Sequence, residues 1–387
     1  MVVQKFGGTS VADPPAIRRL IAIVARARAA HGRGPAVVVS AMSKVTDGLL
    51  DLARSAAGGD IASARTALAT LRDRHRRALS DLAPDADPEV WPSIVREFDA
   101  VEALLPKLAE RKEVSPALLD VVAATGELAS SQLVAAALTA AGLPAVWVDA
   151  RLAVVTNGEH TRAVPLAAET NAAIAERVRR PIDEGRVPVL GGFVGATRQG
   201  ATTTLGRGGS DYSGALVGAG IGADEIQIWT DVDGMLTADP RVVRNPRVVP
   251  HLSFAEAAEL AYFGAKVLHP STILPAIERN IPVRILNSRN AEAPGTLITA
   301  APPPNPRPLT GLACKRGLTV IDITSDRMLM VYGFLRRVFE VFERFRTAVD
   351  VVTTSEVSVS VTVDDRQHLD AIVAALSEFA TVQVDGG

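Results

Sequence analysis

The sequence predicts an α/β protein in which a doubly wound, mainly parallel sheet carries a helical insertion and precedes a smaller α+β unit of ferredoxin-like type. Short all-apolar segments such as Ala36–Val39 alternate with amphipathic helical segments, as in a parallel sheet buried on both faces. Residues 49–141 are rich in Ala, Leu and Arg, which favour helices. A proline-dense stretch then interrupts the pattern. We therefore expect domains at 1–300 and 311–387, joined by a linker at 301–310.

The composition is that of an ordinary globular protein. The chain has 387 residues, 48% of them hydrophobic, which allows two or three domains of about 150 residues each. Its 41 basic and 43 acidic residues are dispersed and give a net charge of −2, so nucleic acid is not an expected partner. No apolar run reaches about 18 residues and the chain opens directly into a strand, so we expect no membrane association and a cytoplasmic location. The single cysteine, Cys314, is expected to be a buried apolar side chain.

The N-terminal segments follow the order strand, turn, helix, strand. An apolar strand begins at Val2 and runs into a pair of glycines. Asp13 is placed to cap a helix whose first turn holds two prolines, and apolar residues at helical spacing continue to Gly32. Strand Ala36–Val39 then completes a βαβ unit.

Later segments repeat this alternation and then change type. After the helical insertion, strands are predicted at Ala145–Val148, Val187–Gly191, Glu225–Thr230 and 282–286, with helices between them. Beyond the linker the order is strand, helix, strand, strand, helix, strand, which is one ferredoxin-like unit. These six segments are residues 318–323, 334–345, 349–353, 357–363, 368–379 and 381–384.

Two segments place a glycine pair beside a cation where a strand gives way to a helix. One contains Lys5, Gly7 and Gly8, and the other contains Arg207 with residues 208–209. Glycines expose backbone N–H groups to an anion, and a helix N-terminus adds its positive dipole, so the two segments together predict a polyphosphate site. Neither segment matches a Walker A loop or the dinucleotide fingerprint. Either pair alone could equally be a tight turn.

Seven motifs carry a resemblance to a known family. They are residues 2–10, 38–43, 125–127, 203–211, 229–234, 238–241 and 263–270. In this order they resemble the aspartate kinases, within the wider amino acid kinase group. The C-terminal unit resembles an ACT regulatory domain, and residues 353–358 are similar to the monofunctional, lysine-sensitive branch. Those enzymes usually carry two ACT units, whereas this sequence stops at residue 387, where a second unit would begin. We therefore expect the second unit to be absent, either because the sequence is truncated or because this member of the family has only one.

The resemblance implies that the γ-phosphoryl group of ATP is transferred to the β-carboxylate of L-aspartate. The product would be 4-phospho-L-aspartate, the first intermediate towards lysine, threonine and methionine. A carboxylate acceptor is already ionised at neutral pH, so no strong general base is needed. The difficulty is that one anion must approach another, which positioning and fixed positive charge overcome. ATP is the expected co-substrate, with Mg²⁺ held mainly by its phosphates and no metal site in the protein.

The family motifs imply the roles of individual residues. Arg207 suits the α-carboxylate of aspartate because a guanidinium binds it bidentately, and Glu127 suits the ammonium group. The implied catalytic residues are Lys5, Asp211 and Lys266, and Ser40, Thr46, Phe193 and Ser210 complete the substrate pocket. The implied nucleotide contacts are Lys5, Gly7, Gly8, Gly208, Gly209, Thr230, Asp231, Asp239, Arg241 and Lys266.

Structural alternatives exist for several of these residues. Asp211, Ser40 and Thr46 could cap helices, Lys266 could form a structural ion pair, and Glu127 could be an exposed helix acid. The acids near residues 231–239 could be solvated turn residues. The chain also departs from relatives at Thr125, where some have histidine, and at Leu236, where many have tyrosine.

The C-terminal unit is expected to bind an amino-acid effector, with lysine favoured over threonine. The implied effector residues are Tyr332, Gly333, Phe334, Leu335, Asp350, Thr354, Ser355 and Glu356. Because such sites form between ACT units, a homodimer or higher homo-oligomer is expected. Ordinary packing of the sheet and helices is the alternative.

Two other functions remain open at this stage. The fold could phosphorylate another acceptor, as acetylglutamate, glutamate and uridylate kinases do, although those lack the 203–211 motif and an ACT tail. A non-catalytic regulatory subunit is the third possibility. The presence of Lys5, Glu127, Arg207 and Asp211 argues against it.

Overall fold

The computed structural model describes residues 1–262, 270–303, 309–325 and 332–386. The chain divides into two compact units, Met1–Ala313 and Cys314–Gly387, which are treated separately. Lys266 and the middle of the expected linker lie outside the described residues.

The first unit is built on a large, mainly parallel sheet. Its strands in chain order are β1 (Val2–Phe6), β2 (Ala36–Val39), β3 (Ala145–Val148), β4 (Val155–Thr156), β5 (Val187–Gly191), β6 (Val194–Thr197), β7 (Thr202–Thr204), β8 (Glu225–Thr230), β9 (His251–Ser253), β10 (Val283–Asn287) and β11 (Thr296–Thr299). Eight of them form one sheet in the order β3-β5-β2-β1-β8-β10-β11-β9. Only the β10–β11 pair is antiparallel there. The predicted doubly wound sheet is therefore confirmed.

Helices cover both faces of this sheet. They are α1 (Pro14–His31), α2 (Val45–Ala57), α3 (Ile61–Leu82), α4 (Val90–Arg111), α5 (Pro116–Ala140), α6 (Ala150–Ala153), α7 (Ala167–Ile174), α8 (Arg180–Asp183), α9 (Gly209–Ile221), α10 (Phe254–Tyr262) and α11 (Leu274–Glu278). Val37 and Val39 belong to one hydrophobic cluster, whereas Val38 belongs to the cluster on the opposite face. This alternation explains why β2 is apolar at every position.

Helix α1 begins and ends as the sequence predicts. The Asp13 side chain accepts a hydrogen bond from the Ala16 N–H group at 2.8 Å, and Pro14 occupies the first turn. Gly32 ends the helix with a φ of 65°, the left-handed conformation that glycine adopts without a steric cost.

The predicted helical insertion is confirmed as α2, α3, α4 and α5. Helix α5 is 25 residues long and is apolar on nearly all sides. By length and hydropathy it could cross a membrane, but 89% of its most apolar window is buried inside the unit. It is therefore the central core helix of this unit.

A second, three-stranded sheet of β4, β6 and β7 lies in the first unit and was not predicted. Strands β6 and β7 form an antiparallel hairpin that ends at Thr204, directly before the loop that contains Arg207 and leads to the second glycine pair. The hairpin thus determines where that loop begins.

The second unit is an antiparallel sheet with two helices. Its elements are β12 (Thr319–Thr324), α12 (Phe334–Arg344), β13 (Val352–Thr354), β14 (Ser358–Val363), α13 (Leu369–Ser377) and β15 (Thr381–Gly386). The strand order β13-β14-β12-β15 is that of a ferredoxin-like unit, as predicted. The interpretation of Cys314 as a buried residue is wrong. It is exposed because it lies in an irregular segment that precedes β12.

Candidate active site

Lys5 lies at the carboxyl end of the central strand β1 and is only 7% exposed. The two strands that flank β1 in the sheet, β2 and β8, both run parallel to it. The Lys5 Nζ atom is 2.6 Å from Oδ1 of Asp211, which lies on the first turn of α9. The contact is an ion pair with poor hydrogen-bond alignment, because Oδ1 accepts no well-directed hydrogen bond. Helix α9 approaches β1 closely through Gly214, whose added Cβ would lie 3.2 Å from Lys5 Cβ.

The second glycine pair precedes and begins α9. Gly206 and Gly208 have φ angles of 75° and 72°, so the loop requires residues that tolerate the left-handed region. A Cβ on Gly209 would lie 2.7 Å from Phe193 Cδ2. Phe193 itself has a φ of 67°, and its N–H group donates to Ser213 Oγ at 2.9 Å. The loop and Phe193 therefore hold each other in place.

The first glycine pair is needed for close packing and not for unusual backbone angles. Gly7 is extended, with a φ of −70°, and its N–H group donates to the Trp229 carbonyl. A Cβ on Gly8 would lie 3.1 Å from the Ala41 carbonyl oxygen. A single 3-10 turn, Gly8–Val11, follows the pair before the long helix α1 begins.

Two neighbouring cavities lie at the carboxyl ends of these strands. The first, of about 290 Å³, is lined by Lys5, Ser40, Thr46, Glu127, Phe193, Gly206, Gly208, Gly209, Ser210 and Asp211. The second, of about 430 Å³, is lined by Gly7, Gly8, Thr9, Ser40, Ala41, Met42, Ser43, Lys44, Thr46, Asp47, Glu127, Thr230 and Asp231. Ser40, Thr46 and Glu127 line both cavities, so the two spaces adjoin.

Glu127 carries a carboxyl group that is almost completely buried on α5, with 5% of the residue exposed. Burial raises its pKa to about 8, and the Ala41 N–H group and the charge of Lys5 only partly oppose this shift. Its Oε2 atom has no hydrogen-bond partner among the described residues. An unpaired buried carboxyl group lining a cavity is suited to receive a cation.

Some implied residues are not gathered with the others. Arg207 is exposed and does not line either cavity, although its neighbours do. Asp239 and Arg241 pair with each other: the Arg241 N–H group and Nε donate to Asp239 Oδ1 at 2.8 and 3.0 Å. Lys266 belongs to the stretch that the structure does not describe.

Sequence reasoning included Ser40 and Thr46 after β2 but missed residues between them. Met42, Ser43 and Lys44 also line the second cavity, and Lys44 precedes α2 as its N-cap with a φ of 68°. The signal was available, because residues 38–43 were already among the family motifs and follow a buried parallel strand.

The residues implied for effector binding have mixed environments in the second unit. Phe334 is buried and stacks edge-on with Phe379 in the core, whereas Tyr332 is fully exposed. Asp350 forms an ion pair with Lys315 at 3.2 Å. Thr354, Ser355 and Glu356 are exposed at the hairpin that joins β13 to β14, and Gly333 and Leu335 are exposed at the start of α12.

The described site supplies a buried ammonium group and backbone donors beside one cavity wall and a buried carboxyl group beside another. Such a site binds anions and a cation close together without a strong base, so the fold and site define a kinase of small charged molecules. Comparison with known proteins specifies the family. The amino acid kinase family matches residues 1–287.

Relatives match essentially the whole chain. "Aspartokinase 3, chloroplastic" of Arabidopsis thaliana is 40% identical over 395 residues, which span 99% of this chain and 69% of the relative. "Lysine-sensitive aspartokinase 3" of Escherichia coli (strain K12) is 37% identical over 400 residues, which span 100% of this chain and 85% of the relative.

Solved structures agree with these relatives. Escherichia coli aspartokinase III in complex with aspartate and ADP (R-state) superposes with a TM-score of 0.85 at 37% identity, covering 100% of this chain and 86% of that one. Its complex with lysine and aspartate (T-state) gives a TM-score of 0.80. The chain belongs to the amino acid kinase family and, within it, to the aspartokinases. It is an enzyme of the aspartate kinase type, as its motifs predict.

Proposed function

We propose that this chain transfers the γ-phosphoryl group of ATP to the β-carboxylate of L-aspartate in the two adjoining cavities. The observation that carries the proposal is that Ser40, Thr46 and Glu127 line both cavities. Two ligands bound there would therefore meet at these residues. The related Escherichia coli enzyme binds aspartate together with ADP, which supports one cavity for the amino acid and one for the nucleotide.

Lys5 offsets the negative charge of the phosphoryl group while that group is transferred from ATP to aspartate. Its ammonium group is fixed in a nearly dry site by the Asp211 carboxylate, 2.6 Å away. A charge that is already oriented costs no reorganisation when the phosphoryl group moves. Asp211 thus acts on the reaction by orienting Lys5, and the backbone N–H group of Gly208 adds a further donor at the start of α9.

Glu127 and Arg207 recognise the two ends of the amino acid. Glu127 binds the ammonium group and loses its proton when it does so, because a buried carboxylate is stable only when paired. Arg207 binds the α-carboxylate from the exposed loop above the cavity. Phe193, Ser210, Ser40 and Thr46 shape the remaining wall.

The nucleotide occupies the second cavity. Gly8 offers its backbone N–H group to the phosphates. Gly7, whose own N–H group donates to the Trp229 carbonyl, lines the same space together with Thr230 and Asp231. Asp239 and Arg241 contact the nucleotide from the turn in which they pair. Carboxylate and hydroxyl oxygens at this cavity fit Mg²⁺, which takes most of its ligands from phosphates and water. When bound, the ion would reduce the negative charge that the acceptor meets.

The second unit binds an amino-acid effector, and lysine is the proposed one. The support is similarity of sequence and structure to the Escherichia coli enzyme, which binds lysine together with aspartate in its T-state. The edge strand β13 and its flanks leave Val351, Val352 and Val357 more than a third exposed. We propose that this edge contributes to a homo-oligomer, and that the enzyme acts in the cytoplasm.

The proposal is tested by an ADP-release assay with ATP, Mg²⁺ and a panel of acceptors. L-Aspartate is expected to be phosphorylated, and N-acetylglutamate, glutamate and uridylate are not. Turnover of another acceptor without turnover of aspartate would refute the choice of substrate. Adding lysine or threonine to the same assay tests the effector. A rate that lysine leaves unchanged would refute the regulatory part alone.

A further inference from the structure

Asp120 is a completely buried carboxylate on α5 that lines neither cavity. Its Oδ1 and Oδ2 atoms accept hydrogen bonds from the Thr161 N–H group at 3.0 and 3.1 Å. Thr204 Oγ1 donates to it at 2.5 Å, and His160 Nδ1 lies 2.6 Å from Oδ2. An ionised carboxylate can only accept hydrogen bonds. These donors therefore stabilise a negative charge that would be costly to bury without them.

Thr161, which Asp120 holds, has a φ of 69°. A β-branched residue in the left-handed region is a conformational outlier, and such residues persist only when their surroundings fix them. The two hydrogen bonds from Thr161 N–H to Asp120 provide this fixation. Asp120 thus fixes the middle of the turn formed by residues 157–164, whose ends are held by Asn157 Oδ1 accepting from the Glu159 and Val164 N–H groups.

The same turn contacts the loop that carries Arg207. A Cβ on Gly206 would lie 3.2 Å from the Thr161 carbonyl oxygen. The Ala163 N–H group donates to the Thr204 carbonyl at 2.9 Å. The loop therefore starts from a strand end that Asp120 binds directly, and it rests on a turn that Asp120 also binds.

We infer that Asp120 is a positioning residue for aspartate binding. It fixes residues 205–211 through Thr204 on one side and through Thr161 on the other, without touching either reactant. The inference rests on the proposed function of that loop in binding the amino acid. This role would explain why the buried Asp120 carboxylate is present, although it takes no direct part in phosphoryl transfer.

Two variants test the inference, and a neighbouring residue provides a matched control. Asp120→Asn removes the charge and replaces one of the two acceptor oxygens with a donor, and Thr204→Val removes one donor to Asp120. Thr203 is also buried and its hydroxyl pairs with Thr156 Oγ1 at 2.7 Å. Because neighbouring strand residues face opposite sides, Thr203→Val removes a similar hydrogen bond that does not involve Asp120.

The expected result is a selective loss of aspartate affinity. Asp120→Asn should raise the KM for aspartate at least about tenfold and Thr204→Val about fivefold, in line with losing one charged or one ordinary hydrogen bond. The KM for ATP should change less than about twofold in both variants. Thr203→Val should leave both KM values unchanged even where it lowers the melting temperature. Equal increases in Thr203→Val and Thr204→Val would overturn the inference.

Two further measurements separate this inference from the proposed function. Amide hydrogen exchange at residues 204–211 should be at least about tenfold faster in Asp120→Asn than in Thr203→Val, whether or not the chain phosphorylates aspartate. Equal exchange would refute the inference, whereas an inactive but folded wild type would refute only the function. Thr161→Gly removes the strained side chain. In the Asp120→Asn background it should lower the KM for aspartate part of the way back to the wild-type value. A double variant no better than Asp120→Asn would exclude the route through Thr161.

Discussion

Lys5 Nζ and Asp211 Oδ1 lie 2.6 Å apart and join the central strand to the first turn of the helix that follows the second glycine pair. Two segments about two hundred positions apart in the sequence are thereby joined at the wall of the first cavity. The pair is not a surface salt bridge, because the side chains are only 9% and 15% exposed. Its contribution to catalysis can be measured directly.

Lys5→Met is expected to lower kcat at least about 100-fold, because it removes a preorganised charge from the path of the phosphoryl group. The variant keeps a side chain of similar length, so the β1 neighbours stay packed. Steady-state ADP release provides the measurement, and Lys107→Met on the exposed face of α4 is the matched control. A folded Lys5→Met protein with wild-type kcat would exclude the assigned role.

The affinity for aspartate is expected to depend on pH through Glu127. Its pKa of about 8 means that the carboxyl group is protonated at pH 6 to 7 and must ionise to bind an ammonium group. The KM for aspartate should therefore fall by up to about tenfold per pH unit as the pH rises from 6 towards 8, and level off above the pKa. In Glu127→Gln the KM should be high and independent of pH. A flat wild-type profile over this range would contradict the assignment.

The same group is expected to affect stability. The pKa of Glu127 is about 8 in the folded state and about 4.3 in the unfolded state, so its stabilisation is complete below the unfolded value and is lost as the pH rises through the folded one. Between pH 5 and 8.5 the wild type should lose about 4 kcal/mol of unfolding free energy relative to Glu127→Gln. Denaturant unfolding of both proteins at the two pH values measures the difference. Parallel changes in the two proteins would show that Glu127 is not the titrating group.

Arg207→Ala is expected to raise the KM for aspartate about 10- to 100-fold with little change in kcat, as when a charged hydrogen bond is lost in both ground and transition states. Arg207→Lys should recover only part of the affinity, because an ammonium group cannot bind a carboxylate bidentately. Arg198→Ala, which removes another exposed arginine that pairs with Glu169, is the control. An aspartate KM that does not change in Arg207→Ala would remove this residue from the substrate site.

Gly209→Ala is expected to impair the site by steric contact. The added Cβ would lie 2.7 Å from Phe193 Cδ2 and 3.1 Å from Leu205 Cβ. Forcing these side chains apart should cost about 1 to 3 kcal/mol of stability and lower kcat/KM at least about tenfold. Gly158→Ala is a suitable control, because nothing lies within 4 Å of its added Cβ. Wild-type kinetics in Gly209→Ala would show that Phe193 can move without consequence.

The sequence predicted the parts of the fold that depend on strong local patterns. The strand Ala36–Val39 is apolar at every position, and Asp13 with its two prolines predicts the start of α1. Five strands were missed because they have only two to four residues and are not uniformly apolar, namely β4, β6, β7, β9 and β11. Segments this short carry no periodicity from which a pairing partner can be inferred.

The backbone positions of the candidate site could be predicted from the motifs. The ion pairs and the exposure of individual side chains could be predicted less well. One cavity is lined by Lys5 together with Gly206, Gly208, Gly209, Ser210 and Asp211. Arg207 is exposed and Arg241 pairs with Asp239, and neither arrangement follows from residue type. Asp120 could have been recognised, because an acid in a helix that is apolar on nearly all sides must be buried and paired.

Helix α5 holds Glu127 and also forms the centre of the larger unit. A carboxyl group mounted there cannot be displaced without unpacking the most densely buried segment of the molecule. If Glu127 recognises the amine as proposed, that group is expected to remain stationary during turnover. Any movement that accompanies substrate binding is then expected in the surrounding loops, residues 205–211 and the segment after β2.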